Sequence, residues 1–126
     1  RDTIGTHLRN ARAVIMPSKL RETFGLVAIE SIASGIPVVV STSSAVASDL
    51  VRMNAGLTVA PDDVAALVPV MTRLAGSDEL VRTMSDNGHA HWRQVANTTD
   101  SWADSLRSMY GALAAGAGAG HLERVH

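Results

Sequence analysis

Three short apolar runs in the first half of the chain constrain its fold more than any other feature. They occupy residues 13–16, 36–40 and 55–59. A continuous apolar run is typical of a strand whose two faces are both covered, as in a parallel sheet. Segments with helical periodicity separate the runs, and such alternation produces parallel strands joined by right-handed crossovers. We therefore predict an α/β fold, a Rossmann-like parallel sheet with flanking helices.

The spacing of the other apolar residues predicts six helices. They cover residues 3–12, 24–34, 45–53, 63–75, 78–95 and 101–115. Gly35 supplies the left-handed residue that often ends a helix. Residues 114–120 consist only of glycine and alanine, a composition that buries little surface. We therefore expect one partial domain over residues 1–115, followed by a flexible Gly/Ala-rich tail over residues 116–126.

The charge balance excludes several kinds of partner. The chain carries 11 Lys and Arg against 12 Asp and Glu, and we expect no nucleic-acid partner because phosphate neutralisation needs clustered cations. The apolar runs are far shorter than the roughly 20 residues that span a bilayer, so no integral membrane segment is expected. The absence of cysteine removes disulfides and thiolate metal sites. These features agree with a cytoplasmic location, which is our expectation.

The segment ETFGLVAIE, residues 22–30, follows the carboxyl end of the first predicted strand. Ligands of parallel sheets bind at that edge. The free N–H groups at the start of the next predicted helix favour a phosphate without any lysine, and a glycine there allows close approach. We expect these groups to belong to Phe24, Gly25, Leu26 and Val27.

Glu22 and Glu30 flank this expected anion site. An ionised carboxylate accepts hydrogen bonds from the vicinal hydroxyls of a hexose or a ribose. We therefore predict that each glutamate binds one sugar ring, with a diphosphate between them. Glu30 stands within an apolar stretch, which predicts a partner for its charge. Glutamates at this spacing also occur by chance as solvated surface residues, which is the alternative explanation.

The other candidate functional residues are the histidines, the loop serines and the basic residues of the loop, and each has a structural explanation that does not require a catalytic or metal-binding role. His89 and His91 are two apart on a predicted helix and point in different directions, so we expect no metal site. The loop serines have no accompanying His–Asp pair, which favours capping or hydrogen bonding over nucleophilic catalysis. Lys19 and Arg21 are the basic residues placed nearest the expected phosphate, although exposed basic residues are common.

These motifs resemble a known family. Pro17-Ser18, the ETFGLVAIE segment of residues 22–30 and the ASGIPVV segment of residues 33–39 resemble the E-x7-E signature region of retaining, nucleotide-sugar-dependent glycosyltransferases of family 4. These enzymes have the GT-B fold. Residues 55–62 and the helix that carries Trp102 and Tyr110 resemble the segments that follow the signature.

The resemblance implies a role for each residue of the signature. Glu22 is implied as the catalytic residue, in contact with hydroxyls of the transferred sugar, and Glu30 as the residue that binds the ribose. No metal and no other cofactor is implied, because the substrate is itself a nucleotide-diphosphate sugar. The residues implied to bind the donor sugar and the diphosphate are Thr23, Phe24, Gly25, Leu26 and Val27.

The chain resembles only the latter part of the C-terminal, donor-binding domain of a GT-B enzyme. The resemblance therefore implies a fragment of a hexosyltransferase, with the donor, an unidentified acceptor and the missing N-terminal domain as partners. Peripheral membrane association would come through the missing part. Catalysis needs a closed, charge-stabilised cleft, so we expect the fragment alone to be inactive.

One departure from the family and two alternatives remain open. Relatives often have a Gly-Gly turn where this chain has Ser43-Ser44, so the role of that turn is undetermined. The first alternative is a non-catalytic module that binds nucleotide weakly or serves as an interaction surface. The second is a GT-B-fold enzyme with another reaction, such as sugar-nucleotide epimerisation or phosphorolysis.

Overall fold

A computed structural model describes Thr6 and residues 8–115 and confirms the parallel α/β architecture. The sheet has three strands in the order β1–β2–β3, and both pairings are parallel. Val14 lies opposite Val38, and Val38 lies opposite Gly56. The strands are β1 (Val14–Met16), β2 (Val38–Ser41) and β3 (Gly56–Val59).

Helices follow each strand, close to where the apolar spacing predicts them. They are α1 (Leu26–Ala33), α2 (Ala47–Arg52), α3 (Val64–Gly76), α4 (Asp78–His91) and α5 (Thr99–Ala114). The helix predicted over residues 78–95 ends at His91 and continues as a 3₁₀ turn, Trp92–Gln94. Of the helix predicted over residues 3–12, Thr6 and Leu8 are helical, and residues 3–5 and 7 lie outside the described residues. The predicted C-terminal end was wrong, because residues 9–12 form a turn and a loop.

The central strand β2 forms the core of the sheet because its three valines are fully buried. Side chains alternate between the two faces of a strand, so Val38 and Val40 share one face and Val39 lies on the other. The first face packs against α1 and α2, with Ile32 and Leu50 as its largest buried residues. The second face packs against α3 and α4. Helices therefore cover both faces of the sheet, as predicted.

Local side-chain caps explain where three of the helices begin. Asp63 Oδ1 accepts a hydrogen bond of 2.8 Å from the Ala66 N–H at the start of α3. Ser77 caps α4 through Leu80, and Thr98 caps α5, each at 3.2 Å. Such caps satisfy N–H groups that have no acceptor within the helix.

The chain divides into two compact units, residues 1–96 and residues 97–126. The first contains the sheet and α1 to α4, and the described part of the second consists mainly of α5. Trp102, Tyr110 and Leu113 of α5 are exposed. The predicted tail over residues 116–126 lies outside the described residues. Within the part of the chain that is described, no helix is both long enough and apolar enough to span a bilayer.

Candidate active site

The loop between β1 and α1, residues 17–25, is tied to the carboxyl end of β2. The Ser41 hydroxyl, on the last residue of β2, donates a hydrogen bond of 2.5 Å to the Ser18 carbonyl. Further along the loop, the Ala45 N–H donates to the Glu22 carbonyl at 3.0 Å. The loop therefore lies at the sheet edge where ligands of parallel α/β folds bind.

Gly25 makes the turn from this loop into α1. Its φ of 63° and ψ of 32° place it in the left-handed region, where a side chain is unfavourable. Gly25 is buried, and a Cβ atom added to it would lie 2.7 Å from Val46 Cγ2. Glycine is therefore required both by the backbone conformation and by the packing of the turn that follows β2.

The start of α1, like that of α2, has no side-chain cap among the described residues, unlike α3, α4 and α5. The Gly25 carbonyl accepts the first helical hydrogen bond, from the Ile29 N–H at 3.0 Å. Among the described residues, no acceptor pairs with the N–H groups of Leu26, Val27 and Ala28. Free N–H groups at a helix start, together with the helix dipole, are chemically suited to an anion.

The helix begins two residues later than predicted, which shifts the set of free N–H groups. Phe24 and Gly25 precede the helix, whereas Ala28, which the sequence reasoning omitted, belongs to its first turn. The signal that could have located this start was Gly25 itself, because glycine is accepted at the residue before a helix. The prediction had placed Gly25 inside the first turn.

The two glutamates of the signature have different environments. Glu22 is half-buried next to the turn after β2, whereas Glu30 is exposed on α1. Glu30 lies four residues after Leu26, about 6 Å along the axis and on the same face of the helix. Both carboxylates therefore flank the start of α1 along the chain.

The partner expected for Glu30 is not found among the described residues. Ala28 and Ile32 bury the inner face of α1, and Glu30 lies on the outer face, where Leu26 and Val27 are also exposed. Neither Glu22 nor Glu30 forms an ion pair within the described ranges. The apolar run surrounding Glu30 in the sequence covers both faces of the helix, which is why it suggested a burial that does not occur.

An exposed apolar surface adjoins the start of α1. Leu20 is 81% exposed, Phe24 is 74% exposed and Leu26 is 63% exposed. Several large apolar side chains this exposed within one short segment are typical of a surface that contacts a ligand or another protein. Thr23, between Glu22 and Phe24, is also exposed.

The basic residues of the loop differ in their contacts. Lys19 Nζ forms an ion pair of 3.2 Å with Asp62, in the loop that follows β3. Both side chains are largely exposed, so this pair contributes little to stability. Arg21 is exposed and forms no ion pair among the residues described. Lys19 thus links two loops at the same edge of the sheet.

The turn after β2 contains buried hydroxyl groups without partners. The Oγ atoms of Ser43 and Ser44 are buried and accept or donate no hydrogen bond within the described part of the chain. Leaving a buried polar atom unpaired costs about 1–3 kcal/mol. The turn packs directly against Gly25 through Val46. The two unpaired hydroxyl groups therefore lie in a segment that adjoins the candidate site.

The two histidines considered as a metal pair have separate contacts. His89 Nδ1 lies 2.8 Å from the Ala33 carbonyl, and His91 Nδ1 lies 3.2 Å from Gln94 Nε2. No group of three or more potential ligand side chains that could hold a metal occurs in the described segments. His89 thus contacts the last residue of α1, and His91 contacts the 3₁₀ turn that follows α4.

An open cavity of about 460 Å³ lies beside the candidate site. Thr42, Ser48, Arg52 and Thr58 supply its polar lining, with Ala47 and Val51 as the apolar part. None of residues 22–30 lines it. Residues 22–30 thus lie in the end of the β1–α1 loop and in α1. The cavity is separate from them and lies between α2 and β3.

Comparison with solved structures identifies the fold class. The chain is similar to sucrose-phosphate synthase from Thermosynechococcus elongatus, with a TM-score of 0.78 and 29% sequence identity over 91% of this chain. The alignment covers 28% of that protein. The architecture is therefore that of a GT-B glycosyltransferase, of which this chain spans a part.

Sequence comparison then gives the family. Residues 1–91 match the family described as glycosyl transferases group 1, and the chain belongs to that family. The chain is also 34% identical over 80 residues to an exopolysaccharide phosphotransferase of Streptomyces coelicolor. That alignment covers 63% of this chain and 8% of the relative.

Proposed function

We propose that this chain is the C-terminal, donor-binding part of a retaining glycosyltransferase of the family 4 type. The longer polypeptide, called the parent chain below, would transfer a hexose-type sugar from a nucleotide-diphosphate sugar to an acceptor hydroxyl. The observation that supports the proposal is the start of α1, where three N–H groups lack acceptors among the described residues, next to the half-buried Glu22. The glycosyltransferase family and the GT-B-type structural match support it.

The first step is anion binding at the start of α1. In the proposal, the N–H groups of Leu26, Val27 and Ala28 bind the diphosphate, with Thr23, Phe24 and Gly25 forming the adjoining wall. Fixed N–H dipoles and the helix dipole stabilise negative charge without a cation. No metal ion is therefore needed to hold the donor in the proposed site.

The second step assigns the carboxylates. Glu22 accepts hydrogen bonds from hydroxyls of the transferred sugar, and Glu30 accepts them from the ribose. Exposure of Glu30 supports this role, because its acceptor sites are open to a ligand and no basic side chain occupies them among the described residues. The cytoplasmic location and a membrane contact through another part of the parent chain stay predictions.

The first test is titration of the parent chain with UDP, ADP and GDP, comparing wild type with Glu30→Gln. Loss of a charge-assisted hydrogen bond costs about 1.5–3 kcal/mol, which corresponds to a Kd roughly 10- to 100-fold higher. Glu79→Gln is the matched control, since Glu79 is an exposed helical glutamate remote from the site. Equal affinity in both variants would exclude a ribose role for Glu30.

The second test concerns the reaction. Incubation of the parent chain with nucleotide sugars and analysis of the product by NMR reports the anomeric configuration, which should be retained. Glu22→Gln should lower turnover more than donor affinity, because a catalytic group acts mainly in the transition state. Nucleotide binding without any transfer would favour a non-catalytic module, and conversion of the donor without an acceptor would favour an epimerase.

A third measurement addresses the metal. Nucleoside diphosphate binding by the parent chain should be unchanged when EDTA replaces Mg²⁺, because the proposed site uses only N–H groups and carboxylates. A loss of binding in EDTA, restored by Mg²⁺, would contradict this part of the proposal.

A further inference from the structure

The segment that ends β2 and begins the next turn fixes the candidate donor loop at two points. Ser41 is 1% exposed, and its hydroxyl reaches across the sheet edge to the Ser18 carbonyl. The Ala45 N–H bonds to the Glu22 carbonyl at 3.0 Å. We infer that Ser41 is a positioning residue, which holds the β1–α1 loop so that Glu22 and the α1 N–H groups face the donor.

The other contacts of the β1–α1 loop show why the Ser41 hydroxyl is important for its position. Ser18 Oγ donates to the Leu20 carbonyl at 3.2 Å, a bond within the loop that does not tie it to the sheet. Among the described residues, the Lys19 side chain contacts Asp62 through an exposed ion pair, which salt screens readily. Ser41 is thus the buried side chain that anchors the first half of the loop, among the residues described.

The second anchor acts through the backbone and cannot be removed by substitution at Ala45 without changing the turn. Val46, the next residue, packs against Gly25, so the same turn also sets where α1 begins. Segment 41–46 therefore contacts the loop at its start, at Glu22 and at Gly25. A substrate-binding loop held at three points loses less conformational entropy when it binds its ligand.

This inference rests on the proposed donor site, and its test separates the two. Loop residues Lys19 and Arg21 provide tryptic sites inside the anchored segment. Native-state cleavage there reports opening of the loop, whether or not the loop binds a nucleotide. Binding of UDP, ADP and GDP by the parent chain then reports the consequence for the donor site.

The variant is Ser41→Ala in the parent chain, and the matched control is Ser85→Ala. Ser85 Oγ also donates a hydrogen bond of 2.5 Å to a backbone carbonyl of another segment, that of Gly35, beyond the opposite end of α1. Both variants remove one hydroxyl from a serine that is not exposed. Ser41 is buried and Ser85 is half-buried, so the comparison separates loss of the loop anchor from loss of a serine–carbonyl bond elsewhere.

Ser41→Ala should raise the rate of cleavage after Lys19 and Arg21 about five-fold and weaken nucleoside diphosphate binding by a similar factor, the effect of one net hydrogen bond. Ser85→Ala should change neither. Equal cleavage in the two variants, or equal affinity when the wild type binds a diphosphate, would overturn the inference. If Ser41→Ala does not fold, Ser41→Cys keeps a side chain at this position, slightly larger than serine and with only a weak donor, and should shift both readouts in the same direction.

The pattern of results also identifies which proposal fails. Wild-type parent chain that binds none of the three diphosphates overturns the donor-site proposal and, with it, the binding half of this inference. Faster cleavage in Ser41→Ala would then still establish the anchor. Wild-type binding that Ser41→Ala leaves intact overturns the positioning role alone.

Discussion

Replacing Gly25 with alanine perturbs the junction between the β1–α1 loop and the core. The φ of 63° costs a residue with a side chain about 1–2 kcal/mol. The new methyl group would lie 2.7 Å from Val46 Cγ2, and overpacking of this kind adds about 1–3 kcal/mol. Alanine also lowers the conformational entropy of the unfolded chain, which stabilises the folded state by about 0.4–1 kcal/mol. The expected net destabilisation is therefore about 1–4.5 kcal/mol.

The contribution of the clash can be separated from that of the backbone by a double-mutant cycle. Val46→Ala removes the methyl groups that the new Cβ meets, so it should recover the packing part of the cost and leave the conformational part. The expected coupling energy between Gly25→Ala and Val46→Ala is about 1–3 kcal/mol, in the stabilising direction. Gly76→Ala is the control, because a Cβ at Gly76 meets nothing within 4 Å.

The assay is amide hydrogen exchange of β2 residues 38–41 in the parent chain, measured at increasing urea concentration. Exchange of core amides gives the free energy of opening of this unit even within a larger protein. A stability of Gly25→Ala within about 0.5 kcal/mol of wild type would refute the reasoning. A cost that Val46→Ala leaves unchanged would refute the packing part alone.

Three further substitutions test other features of the fold. Ser44→Ala should leave the free energy of unfolding unchanged or raise it by up to about 1 kcal/mol, because it removes a buried hydroxyl without a partner; a loss above about 1 kcal/mol in urea denaturation would show that the hydroxyl is satisfied. Gly88→Ala should destabilise by up to about 2 kcal/mol, because the contact of its Cβ with Ile32 Cβ at 3.0 Å costs about 1–3 kcal/mol and the higher helix propensity of alanine offsets about 1 kcal/mol; a rise in Tm would contradict that. Asp78→Asn should cost less than about 1 kcal/mol, since the 2.6 Å ion pair with Arg12 is largely exposed on the Asp side; a larger loss that disappears in high salt would contradict it.

The strands could be predicted from the sequence because burial on both faces leaves an unbroken apolar run. Val38, Val39 and Val40 are such a run, and all three are fully buried. Helix ends were less predictable. The start of α1 was placed two residues too early, because apolar spacing alone does not distinguish the last loop residue, Phe24, from the first helical one.

The candidate site was predictable only in part. Gly25 and the flanking acids lie within one short segment, so a local pattern could indicate them. The bond from Ser41 to Ser18 joins residues 23 positions apart and leaves no periodic signal in the sequence. For Glu30 the sequence signal was present but misleading. Its apolar neighbours suggested burial, whereas the side chain of Glu30 is exposed on the outer face of α1.

The two outer strands have a practical consequence. Within the described residues, β1 and β3 each pair with β2 on one side only. Unpaired backbone groups along such borders are templates for pairing with other chains. Produced by itself at high concentration, this segment would tend to self-associate through these borders, so light scattering should accompany any measurement made on it in isolation.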